Sequence, residues 1–492
     1  MSYDVVVVGG GIGGLTVAAL LAARGVSVCL LERQSQVGGC VGRVNFSGHD
    51  FEPGMGLYSG WGEGDIHRRV FAKLPVSIPE TFPLDSAYVV RLPDKTEVKL
   101  FSDGATFFQE LRQAFPECAT QVITFYERVA KLDTARQQVL SDFPDFSFDS
   151  PKTIRTFLPG GGSLREIARA QSQTALDQLT NTSDRFRTFV AAQLQAFTHT
   201  PLSECALLPA SVALMVLRRP HYSIQGGIAT LAERLAEAIK QSGGTVRLDT
   251  AVLRLAYDES GHAIGVDLLS GETIVARRAV VANMTVWDTY GKLIGLNRTP
   301  GEIKKQLAQL SGSGAFLIYA SMEASAEARL PASHFLVASS WSKADVNEES
   351  DREFTLATSK SSSPPGKLSV TIKTSTAVEP WFSYQSSEED AGQWDQQALE
   401  SLWESLHRQV PELGGDIEVL ETANPRTFYE LTRRKLGMVQ GINQTPTTRL
   451  ATAHTTCLPN VFIVGDTVSG LADVASVTES ALSLVNKLNL PS

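Results

Sequence analysis

The feature that most constrains the fold is a glycine-rich segment at the start of the chain. Residues 5–8 are four valines, a run suited to a strand buried on both faces, and Gly9, Gly11 and Gly14 follow in the spacing G-x-G-x-x-G. The first glycine permits a tight turn, the second lets the backbone approach a pyrophosphate, and the third lets the next helix lie close to the sheet. The segment therefore predicts a strand, a turn and a helix over residues 12–23, with a dinucleotide phosphate at the helix amino end.

An acidic residue after the second predicted strand supports this interpretation. Residues 26–31 read as that strand, and Glu32 follows, 18 residues after Gly14. A carboxylate there can accept hydrogen bonds from both hydroxyls of an adenosine ribose. Because it disfavours a 2′-phosphate, we do not expect NADP.

A second glycine cluster distinguishes the cofactor. Gly38, Gly39 and Gly42 permit another close backbone approach, and Arg43 can meet a phosphate oxygen or the edge of a flavin. A domain that binds only NAD has no need of this cluster. The two clusters together predict bound FAD.

Composition excludes several other classes of protein. The 492-residue chain has a formal net charge of -9, which argues against a nucleic-acid partner. Its five cysteines are widely spaced without a C-x-x-C pattern, so we expect neither a disulfide framework nor a metal site. We expect a cytoplasmic protein without a conventional signal peptide or a membrane span.

The longest charge-free stretch covers residues 205–217 and is followed by Arg218 and Arg219. Its length fits a buried helix, and it also fits a helix lying on a membrane surface, with the flanking arginines at the interface. The buried helix is the favoured interpretation. Peripheral membrane contact stays open.

Signals for the cofactor domain recur after long interruptions. Residues 226–244 predict a helix entered through a double glycine, and residues 245–283 predict strands in a small meander, one of them over residues 252–257. Residues 460–466 predict a buried strand that ends in an acid, followed after a loop by a helix from about Ser476 to Leu488. We therefore predict an α/β fold in which residues 1–75, 221–299 and 425–492 form a discontinuous FAD-binding domain. Residues 76–220 and 300–424 would form an inserted mixed α+β substrate-binding domain.

Over most of its length the chain resembles the phytoene desaturase and carotenoid isomerase branch of the FAD-dependent amine-oxidase-like superfamily. Besides the N-terminal fingerprint, the resemblance rests on Phe51-Glu52-Pro53-Gly54, Gln225-Gly226-Gly227, Val280-Val281-Ala282-Asn283, Pro364-Pro365-Gly366-Lys367, Ala423-Asn424-Pro425 with Thr432-Arg433-Arg434, and Val464-Gly465-Asp466. It implies a Rossmann-like FAD-binding domain of the GR2 type.

The resemblance also implies roles for individual residues. The stretch from Gly9 to Gly14 and Glu32 would hold the ADP half of FAD, Val252 would meet adenine through its backbone, and Asp466 would bind the ribityl hydroxyls. Gly38, Gly39 and Arg43 would line the pyrophosphate and flavin side. The complete predicted set of cofactor-binding residues is Gly9, Gly11, Ile12, Gly13, Gly14, Glu32, Arg33, Gly38, Gly39, Arg43, Met55, Val252, Asn283, Gly465, Asp466 and Val474.

Several other residues leave two interpretations open. Met55 and Tyr58 lie where the family has residues under the isoalloxazine, and core packing is equally compatible with both. His49 and His221 are favoured as hydrogen-bonded structural histidines. Asp473 and Glu479 are favoured as helix-terminal charges over acid–base groups.

We name no catalytic residue, because the flavin itself carries the redox chemistry. Cys40 and Cys457 lie in no recognised attachment motif, so we expect FAD to be bound non-covalently.

One loop departs from the family. Between Ser469 and Val474, two expected glycines are Leu471 and Asp473. Side chains there would make the substrate path narrower or more polar, so we expect this loop to lie against the flavin and to influence substrate choice.

These features predict an FAD-dependent oxidoreductase that desaturates, saturates or isomerises a hydrophobic polyene or isoprenoid. Two alternatives stay open. A flavin amine oxidase would need paired aromatic residues beside the flavin, for which the local sequence offers Phe428 and Tyr429. A non-enzymatic lipid carrier, like the Rab GDP-dissociation inhibitors, would not need the intact fingerprint. The substrate, the direction of redox chemistry, the electron acceptor and the oligomeric state stay open.

Overall fold

The computed structural model describes residues 1–52, 54, 56–84, 88–142, 162–341, 353–359, 363–383, 388–439, 441–448, 454–469 and 473–490. The predicted site residue Met55, the motif residue Pro53 and the loop residue Leu471 lie outside these ranges.

The described strands fall into two large sheets and two small sheets of two strands each. In chain order they are β1 (Ser2–Val8), β2 (Val28–Leu31), β3 (Val44–Phe46), β4 (His49–Phe51), β5 (Thr81–Pro83), β6 (Val89–Arg91), β7 (Glu97–Lys99), β8 (Tyr222–Ile224), β9 (Thr245–Arg247), β10 (Val252–Tyr257), β11 (Ala263–Leu268), β12 (Thr273–Ala282), β13 (Gly314–Glu323), β14 (His334–Ala338), β15 (Glu353–Ser359), β16 (Lys367–Thr376), β17 (Glu418–Ala423) and β18 (Val461–Ile463).

The helices cover the faces of these sheets. In chain order they are α1 (Ile12–Ala23), α2 (Ile66–Phe71), α3 (Gly104–Ala114), α4 (Ala119–Asp142), α5 (Gly162–Gln171), α6 (Asp184–Thr198), α7 (Leu207–Val216), α8 (Ala229–Gln241), α9 (Val286–Asp288), α10 (Gly301–Gln309), α11 (Glu388–Gln409), α12 (Pro425–Thr432), α13 (Asp466–Ser469) and α14 (Val474–Leu488). Short 3-10 turns cover Gly39–Val41, Pro116–Cys118, Leu176–Gln178, Ala324–Arg329, Glu379–Phe382, Pro411–Leu413 and Lys435–Gly437, and a π-helical turn covers Thr289–Gly295.

The first sheet is a parallel sheet with an antiparallel extension. Its strands run in the order β10-β11-β12-β1-β2-β9, and β18 pairs in parallel with the end of β12. Val5 and Val7 of β1 belong to one apolar cluster, whereas Val6 and Val8 belong to the cluster on the opposite face. Burial on both faces explains why this strand is a continuous run of valine. The predicted α/β fold with a Rossmann-like sheet is confirmed.

The second sheet runs in the order β17-β13-β16-β15-β14-β6-β7 and is antiparallel except where β14 pairs with β6. One face packs on α11 through a cluster that includes Ile318, Ile372 and Leu402. The opposite face carries Leu317, Lys373, Thr355 and Leu336, which are joined by strand register, and we call it the inner face.

Both large sheets are assembled from distant parts of the chain. The first draws its strands from residues 2–31, 245–282 and 461–463, and the second from residues 89–99, 314–376 and 418–423. This interleaving is the kind that the sequence predicts, whereas the domain boundaries themselves stay a prediction.

Helix α7 corresponds to the apolar stretch over residues 205–217. Its leucines are buried against neighbouring helices, Leu207 in one apolar cluster and Leu214 in another. The helix lies in the interior, in agreement with the favoured interpretation. Among the described residues, every helix is too short or too polar to cross a membrane.

Candidate cofactor site

The glycine-rich turn is built around the side chain of Asn283. Gly9 has a φ of +101°, and a Cβ on Gly14 would lie 2.3 Å from the Gly9 carbonyl oxygen. A Cβ on Gly11 would lie 2.7 Å from Asn283 Oδ1. Asn283 Nδ2 donates to the Val464 carbonyl at 3.0 Å. Asn283 therefore ties the end of β12 to the end of β18 beneath the turn, a role that its motif did not reveal.

The first and second glycine clusters are in contact. The Gly38 amide donates to the Gly10 carbonyl at 2.8 Å, and a Cβ on Gly39 would lie 3.4 Å from Gly11 Cα. Helix α1 begins at Ile12 with Gly11 as its N-cap residue, and within the described chain no side chain caps it and no acid occupies its first turn. The amide groups in the first turn of α1 are therefore free to donate hydrogen bonds, and the glycine backbone beside them leaves no obstructing side chain. This arrangement is suited to binding a pyrophosphate.

Glu32 is held at the carboxyl end of β2, facing the same turn. Its carboxylate accepts hydrogen bonds from the Gly10 amide at 2.7 Å and the Gln34 amide at 2.8 Å. An ionised carboxylate has further acceptor positions, so these bonds orient it and leave capacity for ribose hydroxyls. The Thr250 amide donates to the Glu32 carbonyl at 2.8 Å, which places Val252, at the start of β10, nearby along the chain.

The two predicted arginines have partners within the protein. Arg33 donates to the carbonyl of Glu430 at 2.9 Å, at the carboxyl end of α12, where a cation is favourable. Arg43 forms salt bridges with Asp50 at 3.0 Å and Glu233 at 3.1 Å. A direct contact of either arginine with FAD stays a prediction.

Asp466 forms an ion pair that the sequence analysis did not assign. Arg434 Nη2 lies 2.6 Å from Asp466 Oδ2, and both side chains are mostly buried. Burial lowers the pKa of Arg434, but the charges of Asp466, Cys40 and Asp288 outweigh this and hold the pKa above its ordinary value. Burial also raises the pKa of the neighbouring Cys40 thiol. The motif Thr432-Arg433-Arg434 signalled this region but not the pairing.

Two of the resemblance motifs meet at a single carboxylate. Glu52 accepts a hydrogen bond from the Tyr58 hydroxyl at 2.7 Å and from the Ile228 amide at 3.2 Å, at the start of α8. A Cβ on Gly227 would lie 2.7 Å from Glu52 Oε1, so the double glycine admits this carboxylate. Burial raises the pKa of Glu52, although both hydrogen bonds oppose the shift. Arg43 lines the same small pocket as Glu52.

Comparison with known proteins identifies the family. The sequence profile described as flavin containing amine oxidoreductase matches residues 12–469. The chain belongs to the flavin-containing amine oxidoreductase family. Its cofactor is FAD, which confirms the prediction from the two glycine clusters.

The relatives of this flavin-containing oxidoreductase differ in their named activities. This chain is 25% identical to the chloroplastic prolycopene isomerase of Daucus carota, over 99% of this chain and 80% of the relative. It is 23% identical to the all-trans-retinol 13,14-reductase of Homo sapiens over 87% of this chain and 75% of the relative. The solved structure of putrescine oxidase bound to putrescine has a TM-score of 0.66 at 15% identity, covers 99% of both chains, and shows likeness of fold.

The remaining predicted residues of this flavoprotein lie around the same sheet edge. A Cβ on Gly13 would lie 3.3 Å from side-chain atoms of Val464 and Val477, so this glycine serves the packing of α1 against β18 and α14. Ile12 is buried beside it. Gly465 has a φ of +134° and borders Asn283, and Val474 begins α14.

The residues with two open interpretations take up structural positions. His49 Nδ1 lies 2.9 Å from Ser369 Oγ, and His221 Nδ1 donates to the Arg219 carbonyl at 2.8 Å. Burial lowers the pKa of His221 to about 4. Asp473 caps α14 by accepting from the Ser476 amide at 3.0 Å, whereas Glu479 is exposed. The contacts of His49, His221 and Asp473 fit the structural interpretation favoured for each, whereas Glu479 lies beyond the first turn of α14.

Proposed function

We propose that this flavoprotein is an FAD-dependent oxidoreductase that desaturates, saturates or isomerises a hydrophobic polyene or isoprenoid. One observation carries the proposal. The relatives that align along 99% and 87% of this chain are named for reactions of prolycopene and all-trans-retinol, both of which are polyenes. The likeness to putrescine oxidase is a likeness of fold.

The surroundings of the second glycine cluster support an apolar substrate. Leu317 and Tyr319 on the inner face of the second sheet form one buried cluster with Phe51 and Phe428. Helix α12, which carries Phe428, packs against the turn at Gly39–Val41. This arrangement supplies dry, apolar packing beside the region expected to hold the flavin, and hydride transfer to or from an alkene needs such water-free surroundings.

When bound, FAD accepts or donates the hydride. The residues of the chain position and shield it. The free amides of α1 would meet the pyrophosphate, Glu32 would accept hydrogen bonds from the ribose hydroxyls, and the ion pair with Arg434 would orient the Asp466 carboxylate toward the ribityl hydroxyls. None of these contacts requires a covalent bond to the protein.

The position of two aromatic residues speaks against the amine-oxidase alternative. Phe428 is buried against Phe51 and Tyr319, whereas Tyr429 packs edge-on against Phe382 and lies 5.1 Å from the Arg433 guanidinium. Because consecutive helical residues point in different directions, these two rings do not form facing walls. The Rab-type carrier alternative is disfavoured by the family's flavin and by the intact turn around Asn283.

The test uses the FAD-loaded protein without oxygen. Oxidised enzyme, which can accept a hydride, is mixed with partly saturated polyenes. Dithionite-reduced enzyme, which can donate a hydride, is mixed with fully conjugated polyenes. The flavin absorbance is followed in both experiments. Putrescine and a hydrophobic monoamine serve as matched alternatives. We expect polyenes, and not amines, to change the flavin absorbance or to be recovered as double-bond isomers. Reduction by amines alone would overturn the proposal.

A further inference from the structure

A pocket on the inner face of the second sheet has a distinctive charge pattern. It lies where the end of α6 packs over β14 and β15, beside β16. Its lining is partly polar, including Lys373, Ser375, Thr355 and His199, and partly apolar, including Ala196 and Leu336.

Lys373 is the cation of this pocket, and its ammonium group makes no hydrogen bond or salt bridge within the described parts of the chain. By contrast, Lys367, at the other end of the same strand, is paired with Glu323 at 2.6 Å. Burial lowers the pKa of Lys373 to about 8, so most of the molecules carry the charge at neutral pH. A partly buried cation without a counterion favours an anionic ligand.

The neighbouring groups can complete an anion site. His199 Nδ1 lies 3.0 Å from Ser375 Oγ. Burial, with a further contribution from the charge of Lys373, holds the pKa of His199 well below its ordinary value, so the ring is a neutral hydrogen-bonding group. Glu353 also lines the pocket, but its carboxylate is not within salt-bridge distance of Lys373 and it has another interaction of its own.

The pocket lies on the same face of the second sheet as the apolar cluster of the proposed site. Leu336 belongs to the cluster that includes Val90, Tyr88 and Leu194 of α6. In the other direction, Lys373 pairs across the sheet with Leu317, which lies in the cluster beside the second glycine cluster. Adjacent strands are about 4.8 Å apart, so Lys373 lies one strand away from this apolar cluster.

We propose that Lys373 binds the terminal carboxylate of an elongated polyene acid, with Ser375 and His199 as supporting hydrogen-bonding groups. The inference rests on the proposed function and narrows its substrate class from polyenes in general to those with an anionic end. The apolar lining of the pocket contacts the hydrocarbon chain of the polyene acid. The ammonium group of Lys373 favours a carboxylate over an uncharged end group.

The test compares end groups on one polyene skeleton. All-trans-retinoic acid, its methyl ester and all-trans-retinol are titrated into the FAD-loaded protein near pH 7, with protein fluorescence quenching as the readout. Wild type should bind the acid about 10- to 100-fold more tightly than the ester, because a hydrogen bond between charged groups is the stronger kind. Lys373→Gln should remove this preference and leave the ester affinity within about twofold, whereas Lys373→Arg should retain much of it.

Matched controls separate this site from general effects. Lys367→Gln removes a lysine from the same strand and should leave the preference for the acid unchanged. FAD content and melting temperature are checked for each variant, and Lys373→Arg preserves the test if the glutamine variant does not fold. Equal binding of acid and ester by wild type, or an equal loss of both in Lys373→Gln, would overturn the inference while leaving the proposed function intact. Failure of every polyene to bind or react would instead overturn the proposed function, and this inference with it.

Discussion

The contact between Gly11 and Asn283 permits a sharp prediction about why glycine is needed in the turn. A methyl group on Gly11 would lie 2.7 Å from Asn283 Oδ1, and it would also occupy the path of the pyrophosphate. In Gly11→Ala the first effect should destabilise the protein without FAD by about 1–3 kcal/mol, the usual cost of overpacking. Asn283→Ala should cost about 1 kcal/mol through the lost hydrogen bond to the Val464 carbonyl, with a further loss of packing.

The double variant separates the two effects. Since Asn283→Ala removes the atom that the new methyl group would meet, Gly11→Ala/Asn283→Ala should be less destabilised than the sum of the single variants by about 1–2 kcal/mol. The pyrophosphate clash would remain, so both variants that contain the Gly11→Ala substitution should bind FAD at least about tenfold more weakly, a loss of about 1.4 kcal/mol.

The assay is urea unfolding of the FAD-free protein together with FAD titration by fluorescence. Gly301→Ala is the matched control, because a Cβ there would meet nothing within 4 Å. Recovery of FAD affinity in the double variant would show that Gly11 is required only by Asn283, and our placement of the pyrophosphate would be wrong. Strict additivity of the two stability changes would refute the contact with Asn283.

Three further predictions follow from other contacts. Arg434→Met should cost about 3–5 kcal/mol of stability by leaving Asp466 without its buried partner, whereas Arg434→Met/Asp466→Leu should cost less, as thermal unfolding would show. Burial lowers the pKa of His67 to about 3, so its contribution to stability is complete above about pH 6.5 and is lost as the pH falls toward 3, by about 1.4 kcal/mol per unit. His67→Phe should therefore flatten the acid side of the stability curve, and exposed His262→Phe should not. Finally, acid precipitation should release intact FAD into the supernatant, and flavin retained on the pellet would contradict non-covalent binding.

Local signals in the sequence predicted the cofactor domain well. The helix Ile12–Ala23 and the strand Val252–Tyr257 have the predicted bounds, because glycine stops, β-branched runs and turn residues act over a few positions. Helix α14 begins at Val474, two residues earlier than predicted, because Asp473 caps it. Glu32 lies at the glycine-rich turn, as predicted. The lengths of the first strand, the helix and the second strand together fix where the second strand ends, and Glu32 follows that end.

What the sequence determined by itself was the Rossmann-like turn, the identity of the cofactor and the class of the protein, since each rests on short motifs that can be recognised one by one along the chain. Only the tertiary structure decided that Asn283 lies beneath Gly11, that Arg434 pairs with Asp466, and that Lys373 stands without a counterion among the described residues of the inner face. Each of these depends on which strand ends and side chains meet after distant segments have paired. Burial then sets the energy of each charge interaction. A carboxylate or an ammonium group that has been removed from water is stabilised only by the partner that the fold supplies.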